Sequence, residues 1–200
     1  MESFEVQQSV SEVVLSGFNK LKRFNIGRGG GLDNIDFISL DGFQSLEMLD
    51  LSGKNLKSIE LKKCPSLSEL ILVENQISDV SSLQSLTKLR KLNLHHNQIE
   101  DITVLHHLKA LESLDLSENQ IQEISLDFLN QLPGLNELYL SGNPIKNIPA
   151  EYFKGGRFDS SRFDVSHPAT PSWKTAPKGL PLKKAKNSQK WTKAKKCFAL

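Results

Sequence analysis

One eleven-residue pattern recurs along this chain and limits the folds that it can adopt. Written LxxLxLxxNxI, it fits residues 67–77, 89–99, 111–121 and 135–145, and the copies begin 22, 22 and 24 residues apart. A repeat of this length corresponds to one unit of a solenoid, which cannot bury its apolar edge alone and therefore stacks on its neighbours. The sequence thus predicts a stack of short coils around one continuous leucine core.

Weaker copies precede the four regular ones. Residues 46–56 keep the leucines but carry Lys54 where the pattern has asparagine, and a degenerate copy begins at Leu21. An asparagine amide can satisfy the backbone groups that a tight coil buries, because it both donates and accepts hydrogen bonds, whereas a lysine cannot accept one. We therefore expect the early repeats to be less regular. The asparagines expected to hold the later turns are Asn75, Asn97, Asn119 and Asn143.

The sequence divides into four segments. Residues 1–20 contain an atypical first strand at 10–15, which we interpret as an amino-terminal cap, and residues 21–156 form the repeat domain. Residues 157–196 are expected to be a flexible, disordered basic linker, because prolines interrupt them and like charges repel one another. Residues 197–200 form a separate terminal motif.

A short motif, Arg-Phe-Asp, occurs twice after the last repeat, at 157–159 and 162–164. We interpret it as a cap fragment that packs two phenylalanines, and a docking motif for a partner is the alternative.

The four copies and their spacing resemble the leucine-rich repeats, specifically the short 22-residue class typified by a regulator of protein phosphatase 1. The resemblance covers roughly residues 10–153. It implies an α/β solenoid in which a curved parallel β-sheet lines the concave face, and a role in binding another protein. The scaffold hosts many binding roles, so the resemblance does not identify the partner.

The alternation within each copy predicts which side chains face outward on that sheet. Leucines point inward and the residues between them point outward, in rows about 4.8 Å apart from strand to strand. Most outward positions are small or polar, but a few are apolar or aromatic, which is typical of a protein-binding surface, although scattered exposed apolar residues are also normal. The predicted binding residues are Ile71, Val73, Asn93, His95, Asp115 and Tyr139.

No catalytic or metal-binding constellation stands out in the repeats, so we expect neither an enzyme nor a cofactor. An open sheet offers no oxyanion hole and no dry pocket for a nucleophile. Glu74, His96 and Glu118 lie one per repeat, but a single histidine between two solvated carboxylates is a poor set of metal ligands.

Charge is distributed very unevenly. Residues 165–200 contain nine lysines and no Asp or Glu, so the remaining 16 basic and all 23 acidic residues lie in 1–164. Such a split indicates two parts with different partners. The lysines expected to contact an anionic membrane are Lys183, Lys184, Lys186, Lys190, Lys193, Lys195 and Lys196.

The last four residues, Cys-Phe-Ala-Leu from Cys197 to Leu200, resemble a Cys-a-a-X prenylation signal, in which a final leucine specifies geranylgeranyl. The resemblance implies a thioether at Cys197 formed by a prenyltransferase, removal of the last three residues and methylation of the new terminus. A single lipid chain holds a protein weakly, so the upstream lysines supply a second signal.

These features predict a monomeric, non-catalytic adaptor that binds another protein and is anchored to the cytoplasmic side of a membrane, such as the plasma membrane. The protein is expected to come from a eukaryote or to be a bacterial product delivered into one. A soluble phosphatase regulator of the cytosol or nucleus is the alternative that the family resemblance favours. Polybasic runs also bind nucleic acid without specificity, and no specific nucleic-acid partner is expected.

Overall fold

The computed structural model describes residues 11–28, 32 and 34–146, together with the backbone of residues 163 and 164. In these residues the chain forms short parallel strands with a few helical turns between them. The strands are β1 (Glu12–Ser16), β2 (Arg23–Asn25), β3 (Phe37–Asp41), β4 (Met48–Asp50), β5 (Ser58–Lys62), β6 (Glu69–Ile71), β7 (Lys91–Asn93), β8 (Ser113–Asp115), β9 (Glu137–Tyr139) and β10 (Phe163–Asp164).

Two parallel sheets result from this alternation. The long sheet has the order β10-β9-β8-β7-β6-β4-β2, and the short sheet has the order β1-β3-β5. Each coil supplies one strand to the long sheet, and the first three coils also supply one to the short sheet. The predicted stack of coils with a parallel sheet along one side is confirmed.

The inward leucines of the repeat pattern form a single core between the two sides of the stack. The central residues of β4 and β6–β9, such as Leu49, Leu92 and Leu114, are at most 2% exposed, and they join one cluster with Ile38 and Leu40 of the short sheet. Burial of this apolar area is the main force that holds neighbouring coils together.

Helical turns replace the short sheet in the later coils. Two 3-10 helices, Ser81–Ser85 and Thr103–His107, are followed by the short helix α1 (Leu126–Asn130). Each begins where a side chain accepts a hydrogen bond from a backbone N–H: Asp79 from Ser81 at 2.8 Å, Asp101 from Thr103 at 2.8 Å, and Ser125 from Phe128 at 3.0 Å. Such side chains favour the start of a helix because they satisfy its free N–H groups.

The asparagines hold the coils together as the sequence predicts. Asn97, for example, is 8% exposed; its Nδ2 donates to the carbonyls of Leu72 and Leu94, and its Oδ1 accepts from the N–H of Ile77. One amide therefore bonds to its own repeat and to the preceding one. Asn75, Asn119 and Asn143 make the equivalent bonds.

The structure adds one observation at each end of the repeat array. The atypical first strand is β1, and it lies in the short sheet rather than beside the strands of the long one. At the other end β10 pairs with β9, so the long sheet continues past the boundary that the sequence suggests at residue 156. Strands of the short sheet such as β5 lie outside the repeat pattern altogether, because that pattern describes only the side of each coil that forms the long sheet.

No helix among the described residues is long and apolar enough to span a membrane. Cys197 and the predicted membrane-contacting lysines lie outside these residues, as does most of the segment 157–196.

Candidate functional site

The candidate site is the outward surface of the long sheet. We call it the open face and define it by the outward residues of β4 and β6–β9 and the turn residues that follow each strand. The strand register pairs Glu69 with Lys91 and Ile71 with Asn93, and Tyr139 lies next to Asp115. The rows expected from the leucine spacing are therefore present, with neighbours one strand apart.

The centre of the open face contains residues that help to build it rather than project from it. Asn93 and Asp115 are only 5% and 7% exposed. The Oδ1 of Asn93 accepts from the N–H of His95, and that of Asp115 accepts from the N–H of Ser117, both at 3.0 Å. The sequence predicts that both residues contact a partner, but little of their surface is accessible.

The accessible part of the predicted site is smaller and more apolar. Ile71, Val73, His95 and Tyr139 are half-buried on this face. They surround the buried residues of the central strands, and a bound segment would gain contact area mainly from these four side chains. Tyrosine is among the residue types that most often dominate the binding energy of an interface, and apolar groups among polar neighbours are typical of a binding surface.

The residue that ends each turn beyond the strands adopts a left-handed backbone conformation. Gly53 and Gly142 have φ values of 67° and 75°, and in the three repeats between them Glu74, His96 and Glu118 have values of 56°, 57° and 55°. This conformation costs an ordinary residue about 1 to 2 kcal/mol and costs glycine nothing. Three consecutive repeats thus carry a large polar side chain where the backbone favours glycine.

Two of these left-handed turn positions are glycines, and a long charged side chain from a neighbouring coil extends over each of them. Arg28 passes over Gly53 and forms an ion pair with Glu74, and the carboxylate of Glu118 lies 2.5 Å from where a Cβ of Gly142 would be. Sequence reasoning missed the role of Arg28, because it stands in a glycine-rich run that reads as an irregular repeat. Gly53 could have indicated this role, because a glycine at that position leaves room for the side chain of another residue to pass over it.

Histidines lie on two surfaces without forming a metal centre. The rings of His95 and His96 are 6.1 Å apart on the open face, and those of His106 and His107 are 3.9 Å apart on the 3-10 helix. Within the described residues, no three His, Cys, Asp or Glu side chains come close enough to hold a metal ion.

Two parts of the chain match a known protein family. Residues 65–107 and 109–151 match the family described as leucine-rich repeats in two copies. No curated protein matches the sequence at a significant level.

Several solved structures have a similar fold. The chain is 25% identical to internalin C2 of Listeria monocytogenes, over 74% of this chain and 72% of that one, with a TM-score of 0.55. It is 27% identical to a leucine-rich repeat protein of Leptospira interrogans, over 67% of this chain and 38% of that one, also with a TM-score of 0.55. A third similar structure, an internalin of the F type from Listeria monocytogenes, is 22% identical over 63% of this chain, with a TM-score of 0.45. The chain spans about half of that protein's length, the aligned part being 49%.

Proposed function

We propose that this protein is a non-catalytic scaffold that binds another protein on its open face, because residues 65–107 and 109–151 match leucine-rich repeats. The carrying observation is the set of half-exposed apolar side chains, Ile71, Val73 and Tyr139, on a sheet whose other outward residues are mostly polar. Repeats of this family are typically protein-interaction modules, and a similar scaffold is found in internalin C2. In the alternative function, that of a soluble phosphatase regulator of the cytosol or nucleus, the partner on this face is a protein phosphatase.

The binding role is tested by removing the apolar groups without disturbing the core. In the double variant Ile71→Asp/Tyr139→Ala, we expect loss of the partner in a pull-down of the full chain from its native cell extract. Val14→Asp is a matched control, because Val14 is an aliphatic residue 64% exposed on the edge strand β1, away from the open face. Equal capture by the double variant and by the wild type would refute the proposed site.

We further propose that the carboxyl-terminal segment anchors this scaffold to the cytoplasmic side of a membrane. The support is the sequence itself: a Cys-a-a-X motif at Cys197 preceded by closely spaced lysines. Each buried methylene of a lipid chain contributes about 0.8 kcal/mol, and each lysine near an anionic leaflet adds about 1 kcal/mol. Together the two signals give stable attachment where either alone is marginal.

The anchor is tested by intact-mass measurement and membrane partition of protein made in eukaryotic cells. We expect a mass that corresponds to geranylgeranylation with loss of three residues, and we expect the Cys197→Ser variant to move to the soluble fraction. Cys64→Ala is the control: Cys64 is 5% exposed, and burial raises the pKa of its thiol, so it is a poor target for modification. An unmodified Cys197, or nuclear accumulation that depends on the lysines alone, would favour the soluble regulator instead.

A further inference from the structure

The last described strand ends beside the open face. Strand β10 is parallel to β9, and Asp164 pairs with Tyr139, so β10 ends at the edge where all strands of this sheet have their carboxyl ends. The turn residues Glu118 and Gly142 lie at the same edge. The end of β10 therefore lies within two or three strand spacings of the exposed side chains of the face.

The part of the open face nearest to the end of β10 is acidic. Glu74 is compensated by Arg28 from an early coil. Among the other residues of β6–β9 and their turns, the charged side chains that are exposed or half-buried are Glu69, Glu118 and Glu137 against the single lysine Lys91. A polypeptide that binds here gains most if it is basic, and it gains further if it brings apolar groups to Ile71, Val73 and Tyr139.

The segment after β10 has this composition. Residues 165–200 carry nine lysines and no acidic residue, and they also carry both tryptophans of the chain, Trp173 and Trp191. The segment also contains prolines and a few leucines. It therefore combines the positive charge and the apolar groups that the face would accept.

Distance does not prevent contact. From β10 to β6 the sheet advances by four strand spacings, which is about 19 Å. A linker of about 30 residues has a root-mean-square reach of roughly 30 Å, so it covers the whole acidic and apolar part of the face. Tethering also gives the segment an effective concentration on the order of millimolar, so that even a contact too weak to detect between separate molecules is formed within the chain.

We propose that the lysine-rich segment 165–196 binds to the open face of its own chain and occupies it until a partner or an anionic surface displaces it. The inference rests on the proposed binding role of the same face. A lysine cannot neutralise a carboxylate of the face and a lipid headgroup at once, so release of the segment from the face makes its lysines available to a membrane. Binding of a partner on the face and attachment of the lysines to a leaflet would then favour each other.

Tryptophan fluorescence tests this directly, because both tryptophans lie in the segment and none lies in the repeats. The sample is the full-length, unprenylated protein in dilute buffer, with a synthetic peptide of residues 165–200 as the reference. We expect acrylamide to quench the protein less efficiently than the peptide at low salt. In 1 M salt, where the screening length falls to about 3 Å, we expect the two to become equal.

Charge-reversal variants locate the contact. Glu118→Lys/Glu137→Lys should raise the quenching of the full chain to that of the peptide, while Glu12→Lys/Glu100→Lys should leave it low. Glu12 and Glu100 are exposed outside the open face, and the pair changes the net charge by the same amount. Thermal unfolding of each variant establishes that it is folded, and the salt titration of the wild type needs no substitution.

Peptide-like quenching of the wild type at low salt would overturn the inference, and so would equal release by the two double variants. Protection that grows with protein concentration would also overturn it, because it would show exchange between molecules rather than binding within one chain. Neither partner nor lipid is present in these measurements. Their failure would thus leave the binding face and the anchor standing, and failure of the pull-down would leave the fluorescence result standing.

Discussion

The early and late coils of this solenoid bury the same kind of core but hold neighbouring coils together in different ways. In the early coils, two sheets run through the stack, and the backbone ladder of β1, β3 and β5 adds to that of the long sheet. In the late coils the second ladder ends, and helical turns stand in its place. Buried asparagine side chains also join these coils, in the turns that follow the strands of the long sheet.

Lys54 marks the point of change. It occupies the asparagine position of the pattern and is fully buried, while its backbone N–H and that of Leu56 are both bonded to the Oδ1 of Asn75 in the next repeat. The asparagine ladder therefore begins at Asn75 and extends toward the carboxyl end. The comparison teaches that two backbone ladders join the early coils, whereas one backbone ladder together with buried asparagine side chains joins the late ones.

The largest effect is expected where one side chain carries several bonds. Asn97→Ala removes bonds of 2.9 to 3.0 Å to Leu72, Leu94 and Ile77 and leaves three buried backbone groups without these partners. At about 1 to 3 kcal/mol for each group, we expect the free energy of unfolding to fall by at least about 3 kcal/mol. Urea denaturation followed by circular dichroism measures the change.

An asparagine of the early coils serves as the control for that substitution. Asn55 is exposed, has a φ of 61° and bonds to Asn34 at the surface. Glycine accepts this backbone conformation, so Asn55→Gly should change stability by less than about 1 kcal/mol. Similar losses in the two variants would show that the buried hydrogen bonds of Asn97 stabilise the fold no more than the surface bond of Asn55 does.

A smaller contrast is expected between two left-handed glycines. Gly17 in the early coils has a φ of 81°, and nothing lies within 4 Å of the point that a Cβ would occupy, whereas at Gly142 a Cβ would lie 2.5 Å from the carboxylate of Glu118. Gly17→Ala should cost about 1 to 2 kcal/mol from backbone strain alone. Gly142→Ala should cost more, because Glu118 must also move.

A double-mutant cycle isolates the second contribution. In a Glu118→Ala background, the cost of Gly142→Ala should fall to that of Gly17→Ala, as determined by urea denaturation. An unchanged cost in that background would mean that the conformation of the turn, and not the neighbouring carboxylate, sets the requirement for glycine.

The repeat pattern could predict the long sheet because its spacing fixes which residues face inward. Once Leu70, Leu92 and Leu114 are placed in the core, the register of β6, β7 and β8 follows, and it is the register observed. The short sheet could not be derived in this way. The alternation in β3 and β5 is a strand signal, but it lies outside the fixed spacing of the pattern and competes with the helical turns found at the same place in later coils.

The sequence could predict which residues face outward on the open face, but not how much of each side chain is exposed. Alternation places Asn93 and Asp115 outward, but their burial depends on how closely the side chains of neighbouring strands pack and on the turns that follow. Both residues fold back onto the N–H two positions later, a contact that short polar side chains favour. The exposed fraction of a side chain in the middle of a sheet is therefore set by its neighbours in space, which are a full repeat away in sequence.

The smallest expected effect concerns the side chains that start the helical turns of the late coils. Asp101 accepts hydrogen bonds from the backbone N–H and the side chain of Thr103, and these bonds lower the pKa of its carboxyl. Because the pKa is lower in the folded state, the contribution to stability is complete above the unfolded value near pH 4 and is lost as the pH falls through the folded value.

We expect Asp101→Ala to lower the free energy of unfolding by about 0.5 to 1 kcal/mol at pH 7, since the group is exposed, and by less at pH 3. Urea denaturation at both pH values measures the difference, with Glu100→Ala as the neighbouring exposed control. If the cost of Asp101→Ala stayed the same at pH 3, its charge would not be what starts the turn, and the boundary between early and late coils would have to arise from the apolar pattern alone.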